Sequence, residues 1–184
     1  MTNKHPLPNK MLILISGKQR SGKDTVAKML QMELGFKIKH FAYPIKVAYA
    51  KHRDISLTDL ETLKNTDPEI RADLIDYGAA GRLVNKDYWV NQLLPIEWHT
   101  IIPDTRFTSE IERCLDTPHM VMTIRVEADR DVRATRGTLS NEDDQSECDL
   151  DDYEDWDYVI NNNSDLDELQ EYVDVIADSI RSYF

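Results

Sequence analysis

The stretch LILISGKQRSGKDTVAKML, residues 12–30, determines the predicted fold. The apolar run MLILIS ends at Gly17, which is typical of a strand buried on both faces of a parallel sheet. From Lys23 onward the apolar residues recur at helical spacing, and Gly35 stands where that helix should end. We therefore predict a strand, a short loop and a helix in direct succession.

The loop has the spacing Gly17-x-x-x-x-Gly22-Lys23 of a phosphate-binding loop. Its glycines let the backbone approach a phosphate, and successive N–H groups then surround that phosphate at the positive end of the helix dipole. Asp24 stands where serine or threonine is usual. It could hold Mg²⁺ through water or orient an attacking group, while Thr25 could cap the helix or ligate the metal. The predicted nucleotide-binding residues of this stretch are Gly17, Lys18, Ser21, Gly22, Lys23, Asp24 and Thr25, with Arg20 adding charge.

Composition narrows the class of partner. The formal net charge is −12 over 184 residues, so the surface should repel nucleic acid polymers and anionic membranes. No apolar run is long enough for a membrane span or the core of a signal peptide, and the two cysteines lack metal-ligand spacing. We expect a soluble, cytoplasmic protein with reduced thiols that binds small molecules as a monomer or homodimer.

The remaining chain alternates between predicted strands and helices. Residues 1–10 read as a flexible tail and residues 11–184 as one domain. Further strands are predicted at 36–42, 98–103 and 119–126, with a short strand at DYVINNNS and a terminal helix capped by Ser164. This alternation predicts a parallel, doubly wound sheet, whose ligands gather at the carboxyl ends of the strands.

Two other segments carry specific expectations. Residues 54–94 lack a strand-like run and are predicted to be helical, with breaks near Asp67-Pro68 and between Gly78 and Gly81. Residues 138–157 are polar and acidic, which predicts a mobile or solvated segment.

The stretch SGKQRSGKDT resembles kinases whose phosphate loop ends in Gly-Lys-Asp. These are the deoxynucleoside monophosphate kinases of tailed bacteriophages and the animal-type phosphomevalonate kinases. The resemblance implies an α/β, three-layer P-loop NTPase fold with a five-stranded parallel sheet, similar to nucleoside monophosphate kinases. It also implies a helical acceptor-binding segment at about 54–94, a lid at about 127–150, and ATP and Mg²⁺ as cofactors.

Two quoted stretches carry the acceptor side of this resemblance. RADLIDYGAAGRLVNKDYWVNQLL (71–94) is similar to the acceptor segment, in which Arg82 would bind the acceptor's phosphate. Tyr88 and Trp89 would support or stack against the acceptor, or Trp89 is a core residue. IIPDTRFTSEIE (101–112) resembles the phage enzymes. There Asp104 would meet Mg²⁺, Arg106 would reach the phosphates, and Glu110 would hold Arg106 or contact the acceptor; a purely structural turn is the alternative.

Two more stretches carry the lid and the base site. In RVEADRDVRATRG (125–137), Arg133 and Arg136 share a helix face with Arg130 and would close over the phosphates, unless the helix is merely solvated. QSECDLDDYEDWDYVINNNSDLDEL (145–169) resembles the family's last strand and its asparagine-rich turn. The resemblance places Asn161, Asn162 and Ser164 beside the adenine, and Ser146 and Glu147 near the acceptor. The other acids of 142–157 are predicted to be solvated.

The acceptor decides between the two branches. Animal phosphomevalonate kinases tend to show basic residues where this chain has Gln19, Phe107 and Asn91. With Tyr88 and Trp89, Phe107 and Asn91 could offer a nucleobase a planar wall and amide hydrogen bonds. From the sequence we therefore favour transfer of the γ-phosphoryl group of ATP to a (deoxy)nucleoside monophosphate. Phosphomevalonate is the alternative acceptor, and a nucleotide-binding regulator without transfer is a further alternative. The predicted catalytic residues are Lys23, Arg20, Arg106, Arg133 and Arg136.

Overall fold

A computed structural model describes residues 10–184, so nearly all of the predicted tail lies outside the described residues. Five parallel strands form one sheet in the order β2-β3-β1-β4-β5. This confirms the predicted α/β fold with a five-stranded parallel sheet. The strands are β1 (Met11–Ser16), β2 (Lys37–Ile38), β3 (Thr100–Ile102), β4 (Met120–Glu127) and β5 (Tyr158–Asn161).

The described chain divides into two compact units. Residues 10–39 and 96–184 form the sheet unit, and residues 40–95 form the helical unit, which includes the predicted acceptor segment. The sheet unit holds α1 (Lys23–Leu34), α6 (Thr108–Leu115), α7 (Arg130–Thr135), α8 (Gln145–Cys148) and α9 (Leu166–Arg181). The helical unit holds α2 (Ala42–Arg53), α3 (Leu57–Thr66), α4 (Pro68–Val84) and α5 (Tyr88–Leu93).

The core of the sheet unit forms around β1, whose six residues are all buried. One face is covered by α1 and α9, which bury Val26 and Leu30 against Val173 and Ile176. Each such side chain contributes about 2 kcal/mol through its removal from water. Because β1 lies between β3 and β4, its carboxyl end meets the ends of both neighbours, and the three following loops share one edge of the sheet.

Two predicted boundaries in the sheet unit are wrong. The strand predicted at 36–42 pairs with β3 only at Lys37 and Ile38, since the chain begins α2 at Ala42. The N-cap of α9 is Asp165 rather than Ser164, because the Asp165 carboxylate accepts hydrogen bonds from the backbone N–H groups of Asp167 and Glu168. By contrast, α1 ends as predicted, at Gly35 in the left-handed conformation.

In the helical unit, the break predicted between Gly78 and Gly81 is wrong, because α4 continues through both glycines. Both contact Trp89, Gly78 through its carbonyl and Gly81 through the room that its missing side chain leaves. The indole Nε1 donates a 2.8 Å hydrogen bond to the Gly78 carbonyl, and a Cβ at Gly81 would lie only 2.5 Å from the same nitrogen. The other predicted break is confirmed, since Asp67 caps α4 and Pro68 opens it.

Residues 138–157, called the acidic segment below, are not uniformly solvated. They include α8, and the Leu150 side chain is buried.

Among residues 10–184, no helix has the length and apolar character needed to cross a membrane. Cys114 and Cys148 are both free thiols.

Candidate active site

The phosphate loop occupies residues 17–22, between the end of β1 and the start of α1. Gly22 has a φ of 104°, in the left-handed region that favours glycine. A Cβ at Gly22 would lie 2.1 Å from Nδ2 of Asn162, which instead donates a 2.7 Å hydrogen bond to the Ser21 carbonyl. The predicted base-binding turn after β5 is therefore joined directly to the loop. The buried Ser21 hydroxyl has no hydrogen-bond partner among residues 10–184.

Lys23 lies at the start of α1 with a buried side chain, and its Nζ is 3.4 Å from the Lys18 carbonyl. Burial, followed by the nearby Arg106 guanidinium, lowers the pKa of Lys23 to about 8. Asp24, Glu147 and Asp104 oppose this shift and raise the pKa. The predicted metal ligands Asp24 and Asp104 and the predicted phosphate ligand Arg106 are thus close enough to Lys23 to shift its pKa.

The turn after β3 is fixed by Glu110. This buried carboxylate accepts hydrogen bonds from the backbone N–H groups of Arg106 and Phe107, at 2.7 Å and 3.1 Å, and so caps the start of α6. The Phe107 side chain is buried. Glu110 therefore holds Arg106 through the backbone, and the Arg106 guanidinium is held separately, by Glu147.

The predicted lid arginines converge on the phosphate loop through backbone carbonyls. Arg133 is buried and donates to the Gln19 carbonyl at 3.1 Å and to the Ala128 carbonyl at 3.2 Å. Arg136 donates to the carbonyls of Arg20, Ser21 and Asn162. The alternative, that this helix is merely solvated, is therefore wrong for Arg133 and Arg136, because both side chains contact the phosphate loop. The Arg20 guanidinium lies against Gly137, and Arg130 pairs with Glu142.

Several acids of the acidic segment bind groups of the site, so the prediction that they are solvated is wrong for these acids. Glu142 bonds both Arg130 and Arg133, and Asp149 accepts from the Thr108 N–H at the start of α6. Asp151 bonds Lys18 and Arg125. Opposite charges and free backbone N–H groups hold these carboxylates, and this pairing overrides the mutual repulsion that predicted a solvated run.

A cavity of about 230 Å³ opens beside the phosphate loop. Arg136, Asn162 and Leu169 line it, together with the predicted residues Gly22, Thr25 and Ser164 and with Asp165 and Leu166. Asn161 is exposed, and its side-chain oxygen accepts from the Asn163 N–H. The cavity thus combines an apolar wall, an arginine and an amide at the start of α1, a composition that suits a planar polar ring.

The helical unit holds the predicted acceptor residues Arg82, Tyr88 and Trp89, whereas Arg106, Phe107, Glu110 and Glu147 belong to the sheet unit. Arg82 is half-buried on the last turn of α4. Trp89 is buried and bonded to Gly78, so it packs the unit as the core interpretation proposed, and its contact with a substrate stays a prediction. Tyr88 is 41% exposed and packs edge-on against Trp89, and Asn91 is exposed.

The candidate metal ligands are two carboxylates and a hydroxyl, from Asp24, Asp104 and Thr25. Within the described part of the chain, no group of three or more His, Cys, Asp or Glu side chains is arranged to hold a metal ion. Two carboxylates next to a phosphate-binding loop fit Mg²⁺, which commonly binds through one or two carboxylates plus substrate phosphates.

Sequence reasoning did not identify Arg125 and Asp151 as parts of the site. Arg125 lies on β4, opposite Ser16 in the register, and its guanidinium bonds the Ser16 hydroxyl and the Asp151 carboxylate. An arginine inside an otherwise apolar strand, MVMTIRVE, was the available signal, because a charge buried in a parallel sheet needs a partner.

These features define a P-loop kinase: a parallel sheet, a glycine-bounded phosphate loop, a buried loop lysine and arginines bonded to that loop. Solved kinases share the fold. Shikimate kinase from Acinetobacter baumannii, in complex with shikimate, matches with a TM-score of 0.55 and 13% identity over 96% of this chain and 95% of that chain. Shikimate kinase from Bacteroides thetaiotaomicron matches with a TM-score of 0.54 and 14% identity, covering 93% and 98%.

The particular family follows from the sequence comparisons. The phosphomevalonate kinase family matches residues 15–118. Phosphomevalonate kinase of Drosophila melanogaster is 32% identical over 190 residues, covering 92% of this chain and 96% of that protein. The chain belongs to the phosphomevalonate kinase family. These findings confirm the predicted kinase, and they support the alternative acceptor better than the nucleoside monophosphate that we favoured from the sequence.

Proposed function

We propose that the chain is an ATP-dependent phosphomevalonate kinase, which transfers the γ-phosphoryl group of ATP to the phosphate of phosphomevalonate. The observation that carries this proposal is the cluster of cations at the phosphate loop. Lys18, Lys23, Arg106, Arg133 and Arg136 all lie at or next to residues 17–22, in a chain of net charge −12. Such a cluster suits two anionic substrates, and membership of the phosphomevalonate kinase family indicates which acceptor it serves.

Two of the four side chains that favoured a nucleobase are buried in the packing of the protein, which supports the aliphatic acceptor. Phe107 is buried at the start of α6, and Trp89 bonds the Gly78 carbonyl inside the helical unit. The Gln19 side-chain oxygen accepts from the Ser140 N–H. The absence of basic residues at positions 19 and 107 is thus explained by packing and by a hydrogen bond, without a planar base in the acceptor site.

The donor nucleotide is proposed to bind along α1. Loop N–H groups and Lys23 would hold its phosphates, and the cavity lined by Arg136, Asn162 and Leu169 would take its base. Arg133 would neutralise the outer phosphates from the lid. Charge neutralisation of this kind is worth orders of magnitude in the rate of phosphoryl transfer.

The proposed reaction needs no general base. The acceptor phosphate is an oxyanion at neutral pH, and one of its oxygens attacks the γ-phosphorus while the bond to the β-phosphate oxygen breaks, giving diphosphomevalonate and ADP. Arg106, and by resemblance Arg82, would position the acceptor phosphate. Asp24, Thr25 and Asp104 would hold Mg²⁺, which supplies charge neutralisation at the phosphates when bound. Positioning and charge neutralisation then carry the catalysis.

A coupled ADP assay tests the proposal. Phosphomevalonate and the common ribo- and deoxyribonucleoside monophosphates are supplied in turn with Mg·ATP, and we expect ADP release only with phosphomevalonate. Lys23→Ala and Arg133→Ala should each reduce turnover about 100-fold, the cost of one transition-state contact. Lys28→Ala, which removes an exposed lysine on α1, is the control and should stay within about twofold of wild type.

Other results would replace the proposal. Turnover of a nucleoside monophosphate without phosphomevalonate would restore the acceptor that the sequence favoured. Mg·ATP binding without turnover of any acceptor would indicate a nucleotide-binding regulator.

A further inference from the structure

We propose that Glu147 is a positioning residue, which orients the Arg106 guanidinium and the tip of the phosphate loop without touching the acceptor. Its two carboxylate oxygens have separate partners. Oε1 accepts from the Arg106 guanidinium at 2.5 Å, and Oε2 accepts from the Gln19 backbone N–H at 2.8 Å. The inference rests on the proposed function only in taking Arg106 as a phosphate-binding residue.

The burial of this pair favours a permanent contact. The Glu147 side chain is 10% exposed and that of Arg106 is 24% exposed. Arg106 also donates to the Ser146 carbonyl at 3.3 Å, so two groups of α8 fix one guanidinium. A charge-assisted pair held in this way is stronger than an exposed ion pair, because neither side chain is free to seek water.

Charge argues against direct contact between Glu147 and the acceptor. The acceptor carries a phosphate, whichever monophosphate it is, and a carboxylate in direct contact with that phosphate would repel it. Placed behind Arg106, the same carboxylate holds a cation toward the anion instead. Glu147 therefore acts favourably only through its partners.

The surrounding acidic segment holds Glu147 in place from three sides. Asp144 caps α8 by accepting from the Ser146 N–H at 2.8 Å. Asp149 accepts from the Thr108 N–H at 2.8 Å, which ties α8 to the start of α6. Asp151 joins Lys18 of the loop to Arg125 of β4. The carboxylate of Glu147 is thus anchored to the sheet and to the same turn that carries Arg106.

A double-mutant cycle tests this role. Glu147→Gln alone should lower kcat/KM about tenfold, because the amide keeps the shape but loses the charge that holds the guanidinium. In an Arg106→Ala background the same change should alter kcat/KM less than about twofold, because no guanidinium is left to orient and the glutamine amide oxygen can still accept from the Gln19 N–H. Asp152→Asn, at an exposed carboxylate of the same segment, is the control and should behave as wild type in both backgrounds.

The cycle is also measured on the dissociation constant of Mg·ATP, which requires no turnover, and urea unfolding checks that each variant is folded. Glu147→Asp, which keeps the charge on a shorter side chain, should lie between wild type and Glu147→Gln; it replaces Glu147→Gln if that variant does not fold. Multiplicative effects of the two substitutions on kcat/KM, or wild-type kinetics of Glu147→Gln, would overturn the proposal. Wild-type turnover of phosphomevalonate tests the proposed function separately, and the cycle is run with whichever monophosphate the wild type uses.

Discussion

At the scale of single residues, the folded protein disfavours the charged form of Lys23. Burial and then Arg106 lower its pKa to about 8, whereas bound phosphates would favour the ammonium form. When the pH equals the pKa, Lys23 is neutral in about half of the nucleotide-free molecules. At pH 8 we therefore expect each molecule that binds nucleotide to take up about half a proton on average. Calorimetry in two buffers of different protonation enthalpy measures this uptake, and affinity should fall as the pH rises above 8.

The control for this prediction is Lys23→Met, which should bind nucleotide weakly and show no such uptake. Because the folded-state pKa lies below the usual value of 10.5, folding opposes protonation of Lys23. Its contribution to the unfolding free energy is unfavourable below pH 8 and disappears as the pH rises toward 10.5. Lys23→Met should therefore be more stable than wild type at pH 7. Proton uptake of equal size in both proteins would show that another group titrates.

The sequence predicted those residues whose place beside the phosphate loop depends on local spacing. Gly22 and Lys23 follow from the loop motif, and Arg133 and Arg136 follow from a helical repeat of cations next to a strand end. The partners of the acidic segment did not follow, because Asp151 meets Lys18 and Arg125 only after the chain returns to the sheet. Runs of acids have no period that reveals such partners.

At the scale of elements, two glycines of α4 offer a matched pair of substitutions that test its packing against α5. A Cβ at Gly81 would lie within 2.5–2.7 Å of three indole atoms of Trp89, so Gly81→Ala should destabilise by about 1–3 kcal/mol through overpacking. A Cβ at Gly78 would lie 3.4–3.6 Å from the side chains of Ile45 and Arg82, which is ordinary contact. Gly78→Ala should therefore gain up to about 1 kcal/mol from helix propensity.

Urea unfolding of the two variants measures the difference, with each serving as the control for the other. Equal effects would mean that Trp89 does not pack as described. The pair also explains why the sequence misplaced a helix break here. From its helix propensity alone, glycine predicts a break in a helix. In α4 the glycines instead allow contact with Trp89, which lies on the next helix and could not be foreseen from the glycines themselves.

His99 links two elements of the sheet unit in a pH-dependent way. Its Nδ1 accepts a 3.0 Å hydrogen bond from the Met11 N–H at the start of β1, and its ring stacks on Phe36. Burial, followed by the charge of Lys10, lowers the pKa of His99. The unfolded chain therefore binds the proton more readily, and the stability that His99 contributes is lost as the pH falls below its usual value of 6.5.

Unfolding free energies at about pH 7.5 and 5.5 test this dependence. His99→Gln keeps an acceptor for the Met11 N–H but does not titrate, so its stability should fall less over this interval than that of wild type. The pKa of His119 is also lowered by burial and Lys10, so part of the dependence should remain. His52→Asn, at an exposed histidine of the helical unit, should keep the full wild-type dependence. An unchanged pH dependence in His99→Gln would contradict the assignment.

At the scale of the whole molecule, one residue proposed for the donor and one residue predicted for the acceptor lie in different units. Lys23 belongs to the sheet unit, and Arg82 belongs to the helical unit. The two roles therefore predict different responses to Mg·ATP alone. A ligand at 100 times its Kd stabilises the folded chain by about 2.7 kcal/mol, and this gain should be lost in Lys23→Met but kept in Arg82→Ala.

Measurements of turnover distinguish Arg82→Ala from its control, Arg71→Ala. Arg82→Ala should lower kcat/KM for phosphomevalonate about 100-fold, the cost of one charged contact to a reacting phosphate, despite its intact response to nucleotide. Arg71→Ala removes an exposed arginine from the same helix and should leave both measurements unchanged. Loss of nucleotide stabilisation in Arg82→Ala would assign that arginine to the donor, and normal turnover would remove it from the site. Because thermal or urea unfolding with and without Mg·ATP needs no acceptor, the division of roles is tested independently of which monophosphate the enzyme uses.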